Sequence, residues 1–211
     1  MWWRAFSRRP FATSLVTATS KTVAADLVTQ RFLEGKEEID ARRTALFTAF
    51  GFWYLGGFQY WLCVKCFGRL FPRAASFGEH ASLTARLRDT AGLRDLAAQV
   101  ALGNFFHIPF LFYPAFYVTQ EVVSQGLRDA SPSDALRRYR EHCVEDLRSA
   151  WAIWIPGHAI FFSVPMWLRL PTNHAMSFAF VCVLSLMHGG EAGDAPAEGE
   201  QGDSEKRKEK R

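Results

Sequence analysis

Residues 149–190 read SAWAIWIPGHAIFFSVPMWLRLPTNHAMSFAFVCVLSLMHGG, and Arg169 is the one charge in them with His counted neutral. A helix crossing a bilayer core needs about 20 mostly apolar residues. Arg169 divides this stretch into two such windows, 149–168 and 170–190. Working outward, 96–120 and 44–64 are also free of Asp, Glu, Lys and Arg. Four such windows in 211 residues predict an all-α chain, an integral membrane bundle of four or more transmembrane helices. The averages hide this, because a mean hydropathy of −0.06 and 49% hydrophobic content come from clustered charges. Nineteen Phe and seven Trp suit lipid contact and the membrane interfaces.

The charged residues lie between the windows. A net charge of +4 spread over flanking segments supplies no basic face on a folded module, so nucleic acid is not an expected partner. Four Cys make no disulfide scaffold. Cys63 and Cys66 form a lone C-x-x-C without two further ligands at zinc spacing. His107, His158, His174 and His188 are scattered and lack metal-ligand spacing. No Ser-His-Asp arrangement, phosphate loop or dinucleotide fingerprint is present, so neither enzyme activity nor a cofactor is expected.

Along the chain, residues 1–10 form a basic flank with Arg4, Arg8 and Arg9 and no acid. That composition fits a mitochondrial presequence or a flank that holds the N-terminus on one side. The transmembrane domain is expected over 11–188. Its first helix, 11–32, is rich in small residues that allow close helix approach, and Lys21, Asp26 and Gln30 should turn inward. Polar residues 31–43 lead to the strongest span, 44–71, and the mixed-charge linker 73–95 precedes the third, which Pro109 and Pro114 interrupt. Ser131 or Ser133 caps an amphipathic helix with Leu136, Tyr139, Cys143 and Leu147 on one face, placed before the last pair of spans. That last pair reads as one broken helix or two short ones. Residues 189–211 have the composition of a disordered charged tail. Four spans would put the N-terminus, the linker and this tail on one side.

Several spaced motifs resemble the Mpv-seventeen/peroxisomal membrane protein 22 kDa family. The best is C-terminal: Val164-Pro165, Arg169 four residues on, then Leu184-Ser185. The family's paired Trp correspond to Trp151 and Trp154, with its Pro one residue late at Pro156. Its Gly-Asp-x-x-x-Gln becomes Ala25, Asp26 and Gln30, and its Asp-x-x-Arg is Asp40 and Arg43. Gly51 follows at the family spacing, and the family's Gly-Pro becomes Gly56-Gly57. Its Asp-Gln before the third-helix Pro is Gly103-Asn104 here. The resemblance covers residues 11–188.

It implies a small multi-pass protein of the mitochondrial inner membrane, or alternatively of the peroxisomal membrane. Such a protein passes small solutes or supports mitochondrial metabolite and DNA homeostasis. The alternative is a non-conducting structural or assembly protein. The lipid bilayer, small solutes and further copies of the chain are the expected partners. Asp26, Gln30, Gln59, Asn104 and Arg169 are candidates for the pore or the bundle's polar contacts. Asp26 and Gln30, four apart on one helix face, read as a pore-lining pair or as hydrogen bonds to a neighbouring helix. Arg169 reads as a partner of Asp26 or Asp40, or as a snorkelling side chain.

Overall fold

In the computed structural model, residues 9–73, 77, 82–163 and 166–193 are described, and all elements formed by them are helical. Helix α1 begins at Pro10, where a missing N–H costs nothing, and runs Pro10–Val28 before opening into a wide turn, Thr29–Leu33, with i→i+5 bonding. Gly35, at φ 68°, takes a left-handed conformation that favours glycine and helps turn the chain toward the next helix. Helix α2 starts at Ala41, where the Asp40 carboxylate accepts the Arg43 N–H as an N-cap. It continues to residue 70, with wide turns at Gly51–Phe58 and Leu62–Phe67.

The short α3, Leu83–Arg88, is capped by Ser82. Asp89 caps α4, Thr90–Gln125, a single helix that absorbs the end of the expected linker and the third window. Pro109 lies inside its wide stretch Gly103–Phe112, where the proline has no N–H to give to the helical ladder. Gly126, at φ 86°, ends it. Helix α5, Pro132–Ser163, joins the amphipathic segment and the fourth window into one helix with Pro156 inside. Helix α6, Met166–Gly193, runs five residues past His188 into the expected tail.

Contacts fix the directions. Tyr54 meets His107 and Phe47 meets Phe116, so α2 and α4 are antiparallel. Trp151 reaches Asn104 and Tyr117 reaches Asp146, so α4 and α5 are antiparallel too. Trp154 packs on Phe180 while Asp146 meets His188, which makes α5 and α6 a hairpin of two long helices rather than one broken helix. Lys21 touches Ser177 and Asp26 touches Ser185, so α1 and α6 run parallel. Five long helices therefore alternate, and α6 ends opposite the start of α1. The four-span arrangement, which takes the last pair as one broken helix, is corrected by the α5–α6 hairpin: among the described residues that pair forms two full-length antiparallel helices.

Small residues set the α1–α2 contact. A Cβ on Gly56 would lie 2.7 Å from the Leu15 Cα, and one on Gly51 would lie 3.0 Å from the Thr22 side chain. Ser14 donates to the Gly56 carbonyl at 3.0 Å across this close approach. The core is aromatic: Phe50 stacks on Tyr54 and meets Phe112 and Phe116 edge-on. Large apolar residues also face outward, including Phe52, Phe105, Phe106 and Phe110, the last 64% exposed. Among the described residues one helix, Thr90–Gln125, is long and apolar enough to cross a membrane by length and composition.

Candidate functional site: two buried polar nodes

The end of the bundle where α1 and α6 finish and α2 begins holds a fully buried ion pair. Arg43 Nε donates to Asp26 Oδ1 at 2.8 Å, and both side chains are almost completely out of solvent. The same carboxylate oxygen accepts from Ser185 Oγ at 2.7 Å, and Ser185 Oγ accepts from Arg43 Nη2 at 2.7 Å. Asp26 Oδ2 accepts from Gln30 Nε2 and from Thr44 Oγ1, each at 2.8 Å. Four donors thus surround one carboxylate, which offsets the desolvation that makes an unpaired buried charge so costly. Gln30 Oε1 accepts the Asp40 N–H at 2.7 Å, tying the α1–α2 loop to the node.

Arg43 Nη1 reaches Glu34 Oε2 at 2.8 Å at the rim. That hydrogen bond, more than the surrounding positive charge, holds the Glu34 carboxyl below its ordinary range. Gly189, one turn after Ser185, leaves space for the guanidinium, which a Cβ there would overlap. Residues from α1, α2 and α6 therefore close around one charge pair.

A second node lies between α4, α5 and α6. His188 Nε2 is 2.6 Å from Asp146 Oδ1, with both side chains buried. Tyr117 OH donates to Asp146 Oδ2 at 2.9 Å, and Tyr113 OH donates to the Asp146 carbonyl at 2.8 Å. Gln120 Nε2 donates to the His188 carbonyl at 3.2 Å. Here satisfaction is incomplete: among the described residues His188 Nδ1 is buried without a hydrogen-bond partner, as is Ser124 Oγ, one turn after Gln120 on α4. Among the described residues no group of three or more His, Cys, Asp or Glu is arranged to hold a metal ion, and Cys66, Cys143 and Cys182 are free thiols.

The structure brings together Asp26, Gln30, Asp40, Arg43 and Ser185 from the sequence-derived candidates, with Leu184 buried beside them. Among the described residues the cation that meets Asp26 is Arg43, where the sequence offers Arg169 as a partner of Asp26 or Asp40 or as a snorkelling side chain. Arg43 takes Asp26, because the N-cap at Asp40 starts α2 so that Arg43 points at α1. Val164 and Pro165 lie outside the described residues, as does the side chain of Arg169. Gln59 is half-buried on α2, sixteen residues from Arg43 and roughly 24 Å away along a helix. Asn104 is in that other half, where Nδ2 donates to the Val100 carbonyl and the Asn104 backbone carbonyl accepts Trp151 Nε1 at 3.1 Å. Trp154 packs on His158 and Phe180, and Pro156 lies on the outer side of α5. Gly51 and Gly56 carry the α1–α2 approach described above.

Sequence reasoning missed Thr44, Asp146 and Tyr117. Asp146 sits in a run of charged residues that reads as a solvated face, although its spacing of three from Cys143 and seven from Tyr139 puts it on the apolar face of the amphipathic helix. No family model, curated protein or solved structure matches this chain.

Proposed function

We propose that this chain is a multi-pass membrane protein of the Mpv-seventeen type, in the mitochondrial inner membrane or alternatively the peroxisomal membrane, that passes small solutes through its bundle. One observation carries the reading. Residues of three separate family-like motifs, Asp26 and Gln30, Asp40 and Arg43, and Leu184 and Ser185, meet in one buried node. Two features support the membrane: Asp26 and Arg43 are buried together, and along the helices Phe52, Phe105, Phe106 and Phe110 face out. Hydrocarbon favours this arrangement, because an unpaired intramembrane charge is expensive and an exposed Phe is not.

With all its acceptor positions filled, Asp26 acts in this reading as a lock that holds the bundle closed rather than as a solute contact. The same saturation favours the second reading, a non-conducting assembly protein tied together by the node. Planar-bilayer recording of the purified chain beside Asp26→Asn separates them. The passage reading expects reproducible conductance, with a higher open probability and unchanged unitary amplitude in the variant. A changed amplitude or selectivity would put Asp26 in the lining. A silent bilayer, with folded protein inserted, would favour the assembly role.

A further inference from the structure

Lys21 lies at the middle of α1, about 17 Å from either end at an ordinary helical rise. Its ammonium carries three donors. Nζ gives one to Ser177 Oγ on α6 at 2.6 Å. Among the described residues no carboxylate forms an ion pair with it, and the nearest acid along α1, Asp26, is committed to Arg43, Ser185, Gln30 and Thr44. His174, one turn before Ser177, lies within electrostatic range of the ammonium. The side chain is half-buried, neither sealed in the core nor free at a helix end where it could snorkel. A half-buried cation with a hydroxyl and an imidazole for company, and no ion-paired carboxylate among the described residues, is a half-built anion site.

We propose that Lys21, Ser177 and His174 form a binding site for a small oxyanion, phosphate or carboxylate, on the seam between α1 and α6. The inference rests on the membrane-passage reading for its role and makes the solutes passed anionic. Its depth selects a free anion over a lipid headgroup. Headgroups lie beyond a hydrocarbon core about 30 Å thick, whereas Lys21 is central to its helix.

The test is calorimetric titration of inorganic phosphate into the full chain in a non-ionic detergent, with Lys21→Gln, Lys21→Arg and Ser177→Ala alongside. The wild type should bind saturably. Lys21→Gln should bind about ten- to a hundredfold more weakly, the loss of a charge-assisted hydrogen bond. Lys21→Arg should retain binding and Ser177→Ala should weaken it. If Lys21→Gln fails to fold, Ser177→Ala and His174→Phe still report on the site. No saturable binding to folded wild type, or equal binding by Lys21→Gln, overturns the proposal. Reversal potentials in a potassium chloride gradient then address the role. Anion selectivity that Lys21→Gln abolishes supports the site on the path, and cation selectivity overturns that placement. Phosphate binding without any conductance keeps the site and removes the passage reading.

Discussion

Two buried carboxylates, Asp26 and Asp146, sit in the same protein under different regimes. Asp26 faces a guanidinium, two hydroxyls and an amide, and every donor in that set is itself engaged. Asp146 faces an imidazole and a phenol, and the other nitrogen of that imidazole has no partner among the described residues. The first arrangement is closed, since arginine stays charged and its planar fork fits a carboxylate. The second has spare hydrogen-bonding capacity. Saturation therefore distinguishes a part that holds the bundle together from a part with room to adjust, and the motif-like residues belong to the first.

Breaking the closed node should give the largest effect. Arg43→Ala leaves Asp26 buried without its cation and should cost about 3–5 kcal/mol, measured by denaturant titration in mixed micelles. Asp26→Leu combined with Arg43→Met should recover most of that loss. A double variant as unstable as the single would show that the charge pair has value beyond mutual compensation. His188→Phe tests the open node. It leaves Asp146 with Tyr117 and should cost about 1–3 kcal/mol, less than Arg43→Ala. An equal or larger loss would erase the distinction drawn between the nodes.

A pair of serines sharpens the same point. Ser185→Ala removes a hydroxyl that both gives and receives a bond and should destabilise by about 1–2 kcal/mol. Ser124→Ala removes a hydroxyl without a partner and should be neutral within about 0.5 kcal/mol. The smallest effect belongs to the rim, where Glu34→Gln should cost at most about 1 kcal/mol. Its pH dependence has a definite sign. Because the bond to Arg43 lowers the folded-state pKa of Glu34, its contribution is present above the ordinary value of 4.5 and fades as pH falls through the lowered one. Wild type and Glu34→Gln should therefore differ at neutral pH and converge in acid. A constant gap across that range would assign the effect to shape rather than charge.

The helical class and most helices were legible in the sequence, because charge-free windows and proline or glycine punctuation are local signals. The parity of the bundle was not. A lone Arg169 among prolines reads equally as a break inside one helix or a turn between two, and only the contacts of Trp154 with Phe180 and of Asp146 with His188 separate α5 from α6. The candidate list contained five members of the closed node. It did not contain their arrangement, because spacing in sequence says nothing about which of two arginines faces Asp26.

By itself the sequence determined that this chain is helical, that its charges are segregated from its long apolar stretches, and where helices start. Each follows from forces that act over a few residues: hydrogen-bond periodicity, capping and the cost of desolvating charge. Only the tertiary structure decided that Arg43 neutralises Asp26, that Asp146 is an interior residue paired with His188, and that Lys21 forms no ion pair with a carboxylate among the described residues. Those outcomes depend on which helix faces meet. Facing is set by close packing across helices far apart in the chain, where a glycine or a serine decides the distance of approach.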